Sequence, residues 1–168
     1  MQIALTKKLA DAMGVNSPFA QEDANPLFSW TANWTKVWDN HRTEDMIVLV
    51  NNATRFTVAI YQVKRKSLKN VEEMMRTAIS NTLFSMNINP EIVREYMRLA
   101  GEEEFVQNRN RKTAAWVTKA GLDCSFYVGR EYNGIAKMFR VILLELLQIT
   151  VMSIIPVTLT MGLFLTGQ

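Results

Sequence analysis

Residues 46–63, MIVLVNNATRFTVAIYQV, constrain the fold more than any other stretch of this chain. Two apolar runs, Met46–Val50 and Phe56–Val63, flank the polar group Asn51-Asn52-Ala53-Thr54-Arg55. Val, Ile, Phe and Tyr favour strands because branched and aromatic side chains fit a pleated, half-buried surface. Asn tolerates the left-handed backbone that tight turns demand. The stretch therefore reads as a β-hairpin with a loop somewhat longer than two residues. No polar residue interrupts Met46–Val50, as expected of a strand covered on both faces, so the hairpin belongs at the centre of a sheet.

The remaining elements are read around it. Gln2–Leu5 is a short strand, and Lys7–Met13 a helix that Thr6 is placed to cap and Gly14 to end. Lys7 and Lys8 oppose the dipole at the start of that helix, either as solvated charge or as part of an anion site. Asn16–Pro26 is a loop by composition. In Leu27–Trp38, the residues Phe28, Trp30, Ala32, Trp34 and Trp38 share one parity, which is one face of a strand. That aromatic row is either core or a stacking platform for bases or sugars. His41, the sole histidine, lies in the polar turn 39–45 and reads as a surface residue.

Two helices follow. Asn70 with Glu73 resembles a capping box, and Val71, Met74, Met75, Ala78, Ile79, Thr82, Leu83 and Met86 then recur at helical spacing. Asn89-Pro90-Glu91 opens the second in strong form, with a capping side chain, Pro at the first position and an acid in the first turn. Gly101 stops it. Phe105-Val106 is a short strand, Thr113–Ala120 a weak helix closed by Gly121, and 122–128 alternates like a last strand. The fold class is α+β: an antiparallel sheet centred on the 46–63 hairpin, with two or three helices mainly on one face. One domain spans 1–140.

Residues 141–168 change character. Leu146–Leu165 is twenty residues without a charge. As a helix it is about 30 Å long, enough for a hydrocarbon core, with Ile155 and Pro156 near its middle. It reads as an apolar C-terminal helix, either a membrane segment or one packed on the sheet. All nineteen Lys and Arg lie at or before Arg140, against fifteen acids there, a net charge of +4. Such a balance is mild for a dedicated nucleic-acid binder. The concentrated positive runs are Asn108–Lys112, with Arg109, Arg111 and Lys112, and Lys64-Arg65-Lys66. Arg and Asn together can hold phosphate by forked and amide hydrogen bonds.

A single cysteine, Cys124, precludes an internal disulfide and suits a reducing compartment. The start, MQIALTKK, lacks the apolar core of a secretory signal. There is no G-x-G-x-x-G, no phosphate-binding P-loop and no G-x-S-x-G. One histidine and one cysteine cannot build a zinc site of the common kind. No catalytic residue, cofactor or metal is assigned.

The segments IALTKKL, PLFSWTANW, VLVNNATRFTVAIY and FVQNRNRK, in this order, resemble an uncharacterised bacterial family, a domain of unknown function, over about residues 1–129. The run after Arg140 lies outside the resemblance. The resemblance implies a small cytosolic α+β domain and carries no activity. The functional expectation is a cytoplasmic binding or interaction domain without catalysis, its partner unknown. Nucleic-acid binding through the basic loop is the alternative, and an enzyme with a scattered site the other. The tail adds membrane association through 146–165 as a further expectation.

Overall fold

The structure, a computed structural model, describes residues 1–19, 24–39 and 41–127. Five strands, β1 (Gln2–Leu5), β2 (Ser29–Asp39), β3 (Arg42–Asn51), β4 (Thr57–Tyr61) and β5 (Glu104–Gln107), form one sheet in the order β4-β3-β2-β1-β5. The helices are α1 (Lys7–Met13), α2 (Val71–Ser85), α3 (Pro90–Ala100) and α4 (Arg111–Tyr127). The expected hairpin is present as β3 and β4, paired from Met46 with Tyr61 to Val50 with Thr57. Met46 to Val50 are all buried, as befits a strand covered on both faces.

Buried Asn51 organises the hairpin loop. Its Oδ1 accepts from the amides of Ala53 and Thr54 and from the Thr54 hydroxyl, each at 3.1 Å. Its Nδ2 donates to the Leu27 carbonyl at 2.8 Å. An Asx side chain that replaces backbone turn bonds in this way lets a five-residue loop close without leaving polar groups unpaired.

The α+β class holds, with three corrections of detail. The sheet is mixed rather than wholly antiparallel: β2, β3 and β4 are antiparallel, but β1 runs parallel to both β2 and β5. A parallel pair needs a long crossover, and the polar stretch after α1, which reads only as a loop, is part of one. The helices cover both faces. Leu9, Met75, Ile79, Val93 and Met97 pack with Trp30, Trp34, Ile47, Leu49 and Val58 on one face. On the other, Val117, Cys124 and Trp116 of α4 pack with Val37, Met46, Val48 and Val50.

Third, 122–127 continues α4 instead of forming a strand. Val117, Ala120 and Cys124 lie three and four apart and meet the sheet together, while Leu122 points outward. Helical spacing thus buries more than the two-residue alternation that the same letters suggest. Two caps also differ. Thr6 Oγ1 donates to Asn33 Oδ1 at 2.7 Å rather than capping α1, and Asn70 makes no capping bond because a 3-10 turn, Arg65–Asn70, leads directly into α2. Asn89 caps α3 as expected, accepting from Glu91 N at 2.8 Å.

Residues 146–165, and with them Leu146, Ile155, Pro156 and Leu165, lie outside the described residues. No described helix is long and apolar enough to cross a membrane.

Candidate anion crevice at the ends of β1 and β5

β1 and β5 are neighbours and run in the same direction, with Leu5 opposite Gln107. The helix after β1 leaves toward one face of the sheet and the helix after β5 toward the other. Where adjacent parallel strands send their helices to opposite faces, the chain parts beyond their carboxyl ends. Ligands of open α/β sheets bind in such a crevice.

The residues at this opening follow from the register. Asn108 N donates to the Leu5 carbonyl at 3.0 Å, which sets Thr6, Lys7 and Lys8 beside Asn108 and Arg109. Lys7, Lys8 and Arg109 are exposed. The loop after α1 passes outside β5, with Gln107 N donating to the Pro18 carbonyl at 2.7 Å. It brings Phe19, itself 52% exposed, under the Arg109 guanidinium, whose carbon lies 3.1 Å from the ring centroid. An Arg stacked on an aromatic face is pre-oriented and keeps its hydrogen-bonding edge free.

The two asparagines of the basic run do a different job from the one expected of them. Asn110 Oδ1 accepts from Lys112 N at 2.9 Å and caps α4. Asn108 Oδ1 accepts from Asn110 N at 2.9 Å and from Thr113 Oγ1 at 3.2 Å. In the first turn of α4, the amides of Lys112 and Thr113 therefore share Asn110 Oδ1 as acceptor. Asn108 Nδ2 is buried and has no hydrogen-bond partner among the described residues. A buried donor in that state costs about 1–3 kcal/mol.

The other predicted cations are distributed as follows. Arg111 is exposed on the first turn of α4. Lys112 turns to the α4 face, its Nζ 5.1 Å from the Trp116 ring, where Arg55 from the hairpin loop also sits at 4.3 Å. Lys64, Arg65 and Lys66 are exposed after β4, which runs in the same direction as β5. They share an end of the sheet with the crevice but not its edge. The sequence alone missed Phe19, although a phenylalanine in a loop of Asn, Ser and Pro signals exposure. It also missed Arg55 and Trp116.

The aromatic row divides. Trp30 and Trp34 are buried core, with Trp34 Nε1 donating to Asp45 Oδ1 at 3.0 Å, whereas Trp38 is 67% exposed. The Cys124 thiol is pushed up to about 12, first by burial and then by the Asp123 charge, and is not a nucleophile near neutral pH. Among the described residues, no cluster of His, Cys, Asp or Glu is suited to a metal ion.

A family model described as "Domain of unknown function (DUF6933)" matches residues 2–148, well past the stretch that carries the resemblance in sequence. No curated protein and no solved structure matches. The chain belongs to the DUF6933 family.

Proposed function

We propose that this member of the DUF6933 family is a cytoplasmic binding domain that holds an anionic, phosphate-bearing ligand in the crevice beyond β1 and β5. The observation that carries the reading is that the segments following β1 and β5, tied by Asn108 N to the Leu5 carbonyl, carry the exposed cations Lys7, Lys8 and Arg109 beside a buried Asn108 Nδ2 that has no partner among the described residues. An anion beside these cations gains charge-assisted hydrogen bonds, and one that reaches Asn108 Nδ2 satisfies a donor that has no partner among the described residues. Binding rather than turnover is proposed from the chemistry of these donors. They supply positive charge and hydrogen bonds, while the described thiol, Cys124, is buried elsewhere, between α4 and the sheet. The test is a calorimetric titration of the full chain with inorganic pyrophosphate at low salt. Binding that is lost in Arg109→Ala and in a Lys7→Ala/Lys8→Ala double variant supports the reading. No heat of binding with the unmodified chain contradicts it.

A further inference from the structure

The crevice is one end of a longer cationic rim. Four strands, β1, β2, β4 and β5, point the same way, so the segments that follow β1, β4 and β5 emerge at one end of the sheet. In order from one edge, these segments carry Arg109 after β5, Lys7 and Lys8 after β1, and Lys64, Arg65 and Lys66 after β4. All are exposed. The 3-10 turn Arg65–Asn70 packs against α1, which brings the third group toward the second. At about 4.8 Å per strand, β5 and β4 stand roughly 19 Å apart across the sheet. That span is too wide for one phosphate group and fits several phosphates in a row.

One exposed indole, Trp38, stands beyond the same end of the sheet. β2 and β3 extend beyond the ends of β1 and β4, where they form a two-stranded ribbon from Lys36 and Asp45 out to Asp39 and Arg42. Lys36 and Trp38 have the parity of Trp34, which packs on the α1 face, so both lie on that face of the ribbon. Both are exposed. Lys36 pairs with Asp45, whose carbonyl accepts from Val63 N at 3.0 Å, just before Lys64. Asp45 is the acid facing this stretch of ribbon, and one of its oxygens is occupied by the Trp34 indole. Asp11 on α1 is the other acid close to the lysines at the start of that helix.

We infer that the ligand is single-stranded nucleic acid. Its backbone follows the rim from Arg109 past Lys7 and Lys8 to Lys64–Lys66, and a base stacks on Trp38. A groove of spaced cations with exposed aromatic faces is the arrangement that binds single strands without reading sequence. The inference rests on the anion reading of the crevice and extends it to the far edge of the sheet.

The test is fluorescence anisotropy of labelled oligothymidylates on the full chain, with pyrophosphate and a thymidine mononucleotide as short probes. The inference predicts that a twelve-nucleotide strand binds at least tenfold more tightly than the mononucleotide. A Lys64→Ala/Arg65→Ala/Lys66→Ala variant should weaken the long strand, lower its salt slope by about 2, and leave pyrophosphate binding unchanged. Trp38→Ala should weaken the strand roughly tenfold. If pyrophosphate binds but the long strand binds no better than the mononucleotide, the inference is overturned and the crevice reading stands. If the long strand binds and neither variant changes it, the proposed path is overturned. If no probe binds, both fall. A duplex that binds more tightly than the single strand also overturns it.

Discussion

The indole Nε1 of Trp30 donates to the hydroxyl of Tyr96 at 3.1 Å, joining β2 to α3 across 66 residues of chain. The same hydroxyl donates to the Leu27 carbonyl at 3.0 Å, which also accepts from Asn51. One phenol thus ties the sheet, α3 and the entry to β2 together. Tyr96→Phe keeps the ring against Phe28 but strands the indole donor of buried Trp30. The expected loss is about 1–3 kcal/mol in urea unfolding.

The same phenol gives stability a pH dependence. Burial pushes it from 10.0 up to about 12. Between those values the unfolded chain has released this proton and the folded chain has kept it. The unfolded state then binds fewer protons, so this contribution to stability falls as pH rises through the window. It is undiminished below pH 10. Comparing unfolding of the native chain and Tyr96→Phe at pH 9 and pH 11 checks this: the stability gap between them should narrow at the higher pH.

Val48 and Val58 are fully buried on opposite faces of the hairpin, Val48 against α4 and Val58 against the larger core. Cutting either to Ala leaves a cavity and should cost roughly 1–3 kcal/mol. Urea midpoints measured for both variants decide it, and an unchanged midpoint in both would remove the hairpin from the centre of the fold.

Much of this architecture follows from local sequence. The hairpin, the cap at Asn89 and the strand of alternating aromatics each have a signal within a few residues. What local sequence lacks is the partner. β1 and β5 are four residues each, and nothing in QIAL or EFVQ states that they lie side by side and parallel. The crevice depends on that pairing, so Lys7 and Arg109, about a hundred residues apart, could be noted separately but not joined. Gly121 shows the opposite hazard. It reads as a helix stop, yet the apolar face of Val117, Ala120 and Cys124 carries α4 through it.

Gly121 therefore supplies a prediction. A Cβ built there would lie 3.5 Å from the Thr35 methyl carbon, an ordinary contact. Gly121→Ala should stabilise the chain by about 0.5–1 kcal/mol, because alanine loses less backbone freedom in a helix interior. A lower thermal midpoint in the variant would mean that α4 does not run through this position.

The most direct measurement on the central claim is a ¹⁵N-resolved NMR titration of the full chain with inorganic pyrophosphate, following the side-chain amide of Asn108. On this account an anion in the crevice gives Nδ2, which has no partner among the described residues, a hydrogen-bond acceptor. The account predicts a saturable shift of that amide, together with the backbone amides of Lys7, Lys8 and Arg109, and loss of the shift in Arg109→Ala. An Asn108 side-chain signal that stays in place while pyrophosphate saturates the protein elsewhere, or fails to bind at all, would contradict it.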